Sequence, residues 1–149
     1  TTQIGDNAGF EPESISRDGK IYSRKNILVG NRTDQFIQIV QVKFTETSTI
    51  VSIEIQSLGD EVFPIKLAAV GSPEAFYLMD QGMRKWYRLK IVMGLSGWPK
   101  RPYNLRPRER KVIALEFERL PDDIQIFHLL EGRQDRVYSW DFYEIELKE

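Results

Sequence analysis

The sequence predicts an all-β, antiparallel sandwich of about eight strands preceded by an N-terminal arm. Three observations point to it. Apolar and polar residues alternate in short segments. These segments recur at roughly ten-residue spacing, split by Gly, Pro, Asn and Asp. No stretch carries apolar residues at helical period, and residues 73–75 offer at most one turn.

Residues 1–20 lack periodicity and hold only Ile4, Phe10 and Ile15 as apolar anchors, which reads as an arm ahead of a single domain spanning 21–149. Residues 21–29 form a first short strand ended by Gly30 and Asn31. Residues 36–44 form a second, with Val40, Val42 and Phe44 on one face. Thr45, Glu46 and Thr47 reverse the chain into 50–56, where Val51, Ile53 and Ile55 alternate with Ser52, Glu54 and Gln56. Residues 62–70 extend again, with Pro64 near the start, where a missing N–H matters least. Residues 75–80 and 86–93 flank Gln81 and Gly82 as a hairpin. Residues 94–107 carry Gly94, Gly97, Pro99, Pro102 and Pro107 and read as loop. Strands follow at 112–118, 124–130 and 137–147. In the last, Trp140 and Phe142 share one parity and Tyr143, Ile145 and Leu147 the other, which a β-bulge near Phe142 or Tyr143 would reconcile.

The 149 residues suit one core. No apolar run nears the roughly 18 residues of a membrane helix. The absence of cysteine excludes disulfides, Cys-ligated metals and thiol nucleophiles. A start at Thr1 rather than Met points to removal of either a secretion signal or an artificial leader; the first is the expectation, with an extracytoplasmic (secreted or cell-envelope) location. Net charge is −1 but unevenly placed: −4 over residues 1–83, +9 over 84–111 and −6 over 112–149.

Several motifs resemble immunoglobulin-like β-sandwich modules of bacterial envelope and secreted proteins, over roughly residues 36–149. They are Asp80 and Gly82 ahead of Trp86 and Tyr87; Pro107, Arg108 and Glu109 leading to Phe117, Glu118, Leu120 and Pro121; Leu130, Glu131 and Gly132; and Trp140, Phe142 and Ile145. Arg108 departs from the glycine usual at its position. The resemblance implies a non-enzymatic accessory module, with no cofactor and no catalytic residue.

His128, the only histidine, alternates with Phe127 and Leu129 and reads as an ordinary strand residue directed away from the core. Glu116 and Glu118 read as a solvated face. Asp122 and Asp123 read as turn caps rather than a metal or glycosidase site. The strongest signal is the +9 block. Arg84, Lys85, Arg88, Lys100, Arg101, Arg106 and Arg108 are interleaved with Trp86, Trp98 and Tyr103, joined by Lys90, Arg110 and Lys111. Cations beside aromatic rings suit acidic glycans or single-stranded nucleic acid, although the near-zero net charge makes nucleic acid the poorer fit. The same block between acidic flanks is complementary between copies of the chain. The expectation is therefore a non-catalytic, extracytoplasmic structural module that binds protein partners and self-assembles, as a homo-oligomer or filament, through its arm and basic face. The alternative is an acidic-polymer binder using segment 84–111.

Overall fold

The computed structural model describes residues 22–24, 26–32, 36–57, 59–65, 67–132 and 140–148. The predicted arm, with Ile4, Phe10 and Ile15, lies outside them. Within them are eleven strands and no helix: β1 (Tyr22–Arg24), β2 (Asn26–Arg32), β3 (Ile37–Phe44), β4 (Ser48–Gln56), β5 (Phe63–Ile65), β6 (Phe76–Asp80), β7 (Trp86–Met93), β8 (Tyr103–Leu105), β9 (Arg110–Glu118), β10 (Ile126–Glu131) and β11 (Phe142–Lys148). Every ladder is antiparallel. Nine strands form one sheet in the order β1-β3-β4-β9-β7-β6-β10-β11-β2, and β5 pairs with β8.

The sheet turns at two corners. Trp86 of β7 pairs with Met79 and Arg88 with Tyr77 in β6, whereas Leu89 pairs with Phe117 and Met93 with Ala114 in β9. One strand thus serves both layers. The other corner lies at β1 and β2, one residue apart in sequence yet at opposite ends of the strand order. β1 ladders with β3 and β2 with β11. The result is a flattened, nearly closed barrel, which removes most of the free sheet edge.

The all-β, antiparallel prediction is met, but the strand count of about eight becomes eleven. The first segment splits at its corner and runs past Gly30 and Asn31 to Arg32. The stretch 94–107, read as loop, supplies β8. Among the described residues of the predicted 62–70 segment, only Phe63–Ile65 is a strand.

The core fills from both layers. Val51, Ile53 and Ile55 point inward from β4, and Ile113, Leu115 and Phe117 from β9, as their alternation predicts. Phe44, Phe117, Phe127 and Phe142 are fully buried, each worth about 1.5–3 kcal/mol on transfer from water. The strand register shifts between Ile39 and Gln41. It leaves Val40 half-buried and brings Ile37 inside, correcting the predicted Val40, Val42 and Phe44 face. A second shift, between Leu89 and Ile91, turns Ile91 outward beside Glu116.

The predicted bulge in β11 is present. Phe127 pairs with Ile145 but Leu129 with Phe142, so three residues of β11 oppose two of β10. Glu144 takes φ = +54° there. Phe142, Ile145 and Leu147 all reach the core.

Candidate functional site

Asp80 shapes the end of the β6–β7 hairpin. Its Oδ1 accepts the backbone N–H groups of Arg84 (2.7 Å) and Lys85 (3.1 Å). Those two bonds hold its carboxyl below the usual range, with the Arg84 charge a smaller contribution. Past this turn, alternation buries Tyr87 and Leu89 and leaves Trp86 and Arg88 outside.

Trp86 lies flat on Tyr77, with ring centroids 4.8 Å apart and planes 17° apart, yet remains 60% exposed. Arg88 stands directly across from Tyr77 in the ladder. Its backbone N–H donates to Glu118 Oε1 (2.9 Å). Its guanidinium pairs with no carboxylate among the described residues. The segment carrying Val70, Gly71, Ser72 and Pro73 rises beside these rings and encloses a groove of about 410 Å³.

A second concavity, of about 710 Å³, lies at the end of the barrel away from the β6–β7 turn. Phe36, Val62 and Phe63 rim it at 51%, 55% and 45% exposure, over a floor that includes Ile37, Ile55 and Trp140.

The +9 segment is divided between these places. Arg84 and Lys85 sit on the β6–β7 turn. Lys100, Arg101, Arg106 and Arg108 follow the far end of β7, whose eight residues span about 26 Å. Four of its cations are engaged within the chain, Lys85 over the Tyr87 ring at 5.6 Å among them. Arg108 meets Asp60 at 2.8 Å. Lys90 donates to Ser48 Oγ at 2.7 Å and lies 3.7 Å from Glu116. Lys111 sits over the Tyr103 ring at 5.0 Å. The predicted stacking residues separate too. The Trp98 indole N–H donates to the Leu67 carbonyl from a half-buried position. The Tyr103 hydroxyl donates to Glu109 Oε2 at 2.8 Å, which raises the tyrosine pKa. Of the three rings, Trp86 alone is largely exposed.

Glu109 also accepts the Arg106 N–H (2.8 Å) and closes the turn through Pro107 and Arg108. The backbone bond first, then the tyrosine hydroxyl, lowers its pKa. Arg108 occupies φ = +63° in that turn, the conformation for which glycine is suited.

His128 faces away from the core residues Phe127 and Leu129, as predicted, yet it is buried at 3% exposure rather than left to solvent. Its Nδ1 accepts the Glu144 N–H (3.0 Å), so the ring carries its proton on Nε2, 3.1 Å from the Gln81 carbonyl. The Tyr143 ring meets it edge-on at 5.8 Å. This histidine braces the β11 bulge. Glu131 and Asp141, both buried, brace the neighbouring connection: the Glu131 N–H donates to Asp141 Oδ1 and the Trp140 N–H to Glu131 Oε1. Glu116 and Glu118 lie on the outer face as read, Glu118 exposed and Glu116 half-buried, and they receive Ser48 Oγ–H and the Arg88 N–H. Asp122 pairs with Arg119 (2.9 Å), and its turn is closed by the Ile124 N–H donating to the Pro121 carbonyl. No group of three His or carboxylate side chains is gathered as a metal would require among the described residues.

Sequence reasoning missed Tyr77, Phe36, Val62 and Phe63. Tyr77 was detectable only by pairing the two strands of its hairpin in the correct register. Comparison with family models, curated proteins and solved structures finds no match for this chain.

Proposed function

We propose that this chain is a non-catalytic, extracytoplasmic structural module that self-associates, with residues 1–20 of one copy seated in the end groove of another. The observation that carries this reading is the exposure of Phe36, Val62 and Phe63 around one apolar concavity. Exposed apolar residues gathered in a concavity mark a contact surface more often than chance scatter does. Ile4, Phe10 and Ile15 are apolar side chains suited to fill it. Tyr22 pairs with Phe44, so the chain enters β1 at the end of β3 opposite Phe36. Twenty-one extended residues reach up to about 70 Å, ample to bridge to a neighbouring molecule.

The immunoglobulin-like resemblance and the envelope location belong to the same proposal. The all-β antiparallel fold and the quoted turn motifs are what the resemblance rests on, and the location rests on the sequence reading alone. The continuous nine-strand order is the feature such a kinship must accommodate.

Light scattering on the full chain tests association. We expect a mass above the monomer that falls to the monomer on deleting residues 1–20 and, in the intact chain, with the pair Phe36→Ser and Phe63→Ser. A monomeric full chain, or an assembly indifferent to both changes, overturns the proposal.

A further inference from the structure

We propose that Tyr77, Trp86 and Arg88 form a binding subsite for one acidic sugar ring, a uronate residue of a polysaccharide. The pyranose lies on the exposed face of Trp86 and its carboxylate meets the Arg88 guanidinium. This site is separate from the end groove and independent of self-association.

Four observations support it. First, an indole left 60% exposed but stacked at 17° on a tyrosine is a rigid flat platform. A receptor surface fixed in advance loses little conformational freedom on binding. Second, the platform floors a groove of about 410 Å³, inside the roughly 300–1,000 Å³ range of ligand clefts. Third, Arg88 is placed by its ladder with Tyr77 and by the Glu118 bond to its N–H, while its guanidinium has no carboxylate partner among the described residues. A planar fork of donors beside a ring platform matches a carboxylate attached to a ring.

The fourth observation selects sugar over nucleobase. Single-stranded nucleic acid needs cations repeated along a track as well as rings. Here Lys100, Arg101 and Arg106 lie at the other end of β7, Lys90 is occupied by Ser48 and Glu116, and Glu118 flanks Arg88. Arg84 and Lys85 sit on the neighbouring turn, Lys85 over the Tyr87 ring. Arg88 is the only cation lining the groove among the described residues, which is enough for a single carboxylate.

The test is titration of the full chain with oligogalacturonate, its methyl-ester form and an oligo-dT strand, read by tryptophan fluorescence and calorimetry. We expect oligogalacturonate to bind and shift the emission, with the ester weaker by about tenfold. Trp86→Ala, whose exposed side chain leaves the core untouched, should abolish binding of both saccharides. Arg88→Gln should bind acid and ester alike. Deleting residues 1–20 should leave the titration unchanged, which separates this site from the groove. The proposal fails if oligogalacturonate does not bind, if acid and ester bind the wild type equally, if Trp86→Ala binds normally, or if oligo-dT binds more tightly.

Discussion

Arg108 shows how much one backbone angle weighs. It sits at φ = +63°, where a Cβ crowds the following carbonyl, and its ion pair with Asp60 is solvent-exposed on both sides. Arg108→Gly should therefore raise stability, by about 0.5–1 kcal/mol after the added chain entropy of glycine, measured by urea denaturation. Asp80 and Glu109 make a prediction of the opposite kind. Each carboxylate accepts backbone N–H groups in the fold, and each folded pKa lies below its ordinary value of 3.8 or 4.5. Their contribution is thus complete above those ordinary values and is lost as pH falls through the lower folded ones. Glu109→Gln should flatten the drop in melting temperature between about pH 5 and about pH 3 relative to the wild type. An unchanged slope would mean that its bonds to Arg106 and Tyr103 do not favour the charged form.

Among elements, β10 and β11 depend on polar braces within the wall. His128→Ala leaves the Glu144 N–H and the Gln81 carbonyl without their partner and should cost about 1–3 kcal/mol, seen as a lower denaturation midpoint. Gly132 follows the Glu131 brace, and a Cβ added there would overlap the Pro73 carbonyl oxygen. Gly132→Ala should destabilise by about 1–3 kcal/mol, the range for forced overpacking, again by denaturant titration. How much was legible in the sequence follows from these elements. The β11 bulge could be foretold because Trp140 and Phe142 break parity with Ile145 and Leu147. The burial of His128 could not, because alternation assumes that one strand face meets water. Here the Tyr143 ring and the Gln81 carbonyl cover the outer face. The corner in β7 escaped for a similar reason, since its register shift reverses the facing of Ile91 with no Gly or Pro to mark it. Composition revealed the cationic block and its aromatic neighbours. It could not reveal that an eight-residue strand would carry them to opposite ends of the molecule, leaving Trp86 with Tyr77 and sending Trp98 to Leu67.

For the whole molecule, the sheet order ranks its strands by protection. β4 lies between β3 and β9, laddered along its length on both sides, whereas β5 and β8 are three-residue strands paired only with each other. Hydrogen exchange should find the amides of Val51, Ile53, Leu115 and Phe117 slowest and those of β5 and β8 among the fastest. Early exchange in β4 would show that the layers separate before the small pair frays.

The division of β7 between two layers carries a mechanical corollary. Its first three residues hold Trp86 and Arg88 against β6, and the rest ladder with β9. A molecule gripping the platform therefore pulls on the same polypeptide cable that tethers the opposite wall. Saturating the platform should quieten β9 amides that touch no ligand, a tension relayed through one backbone without any change of shape.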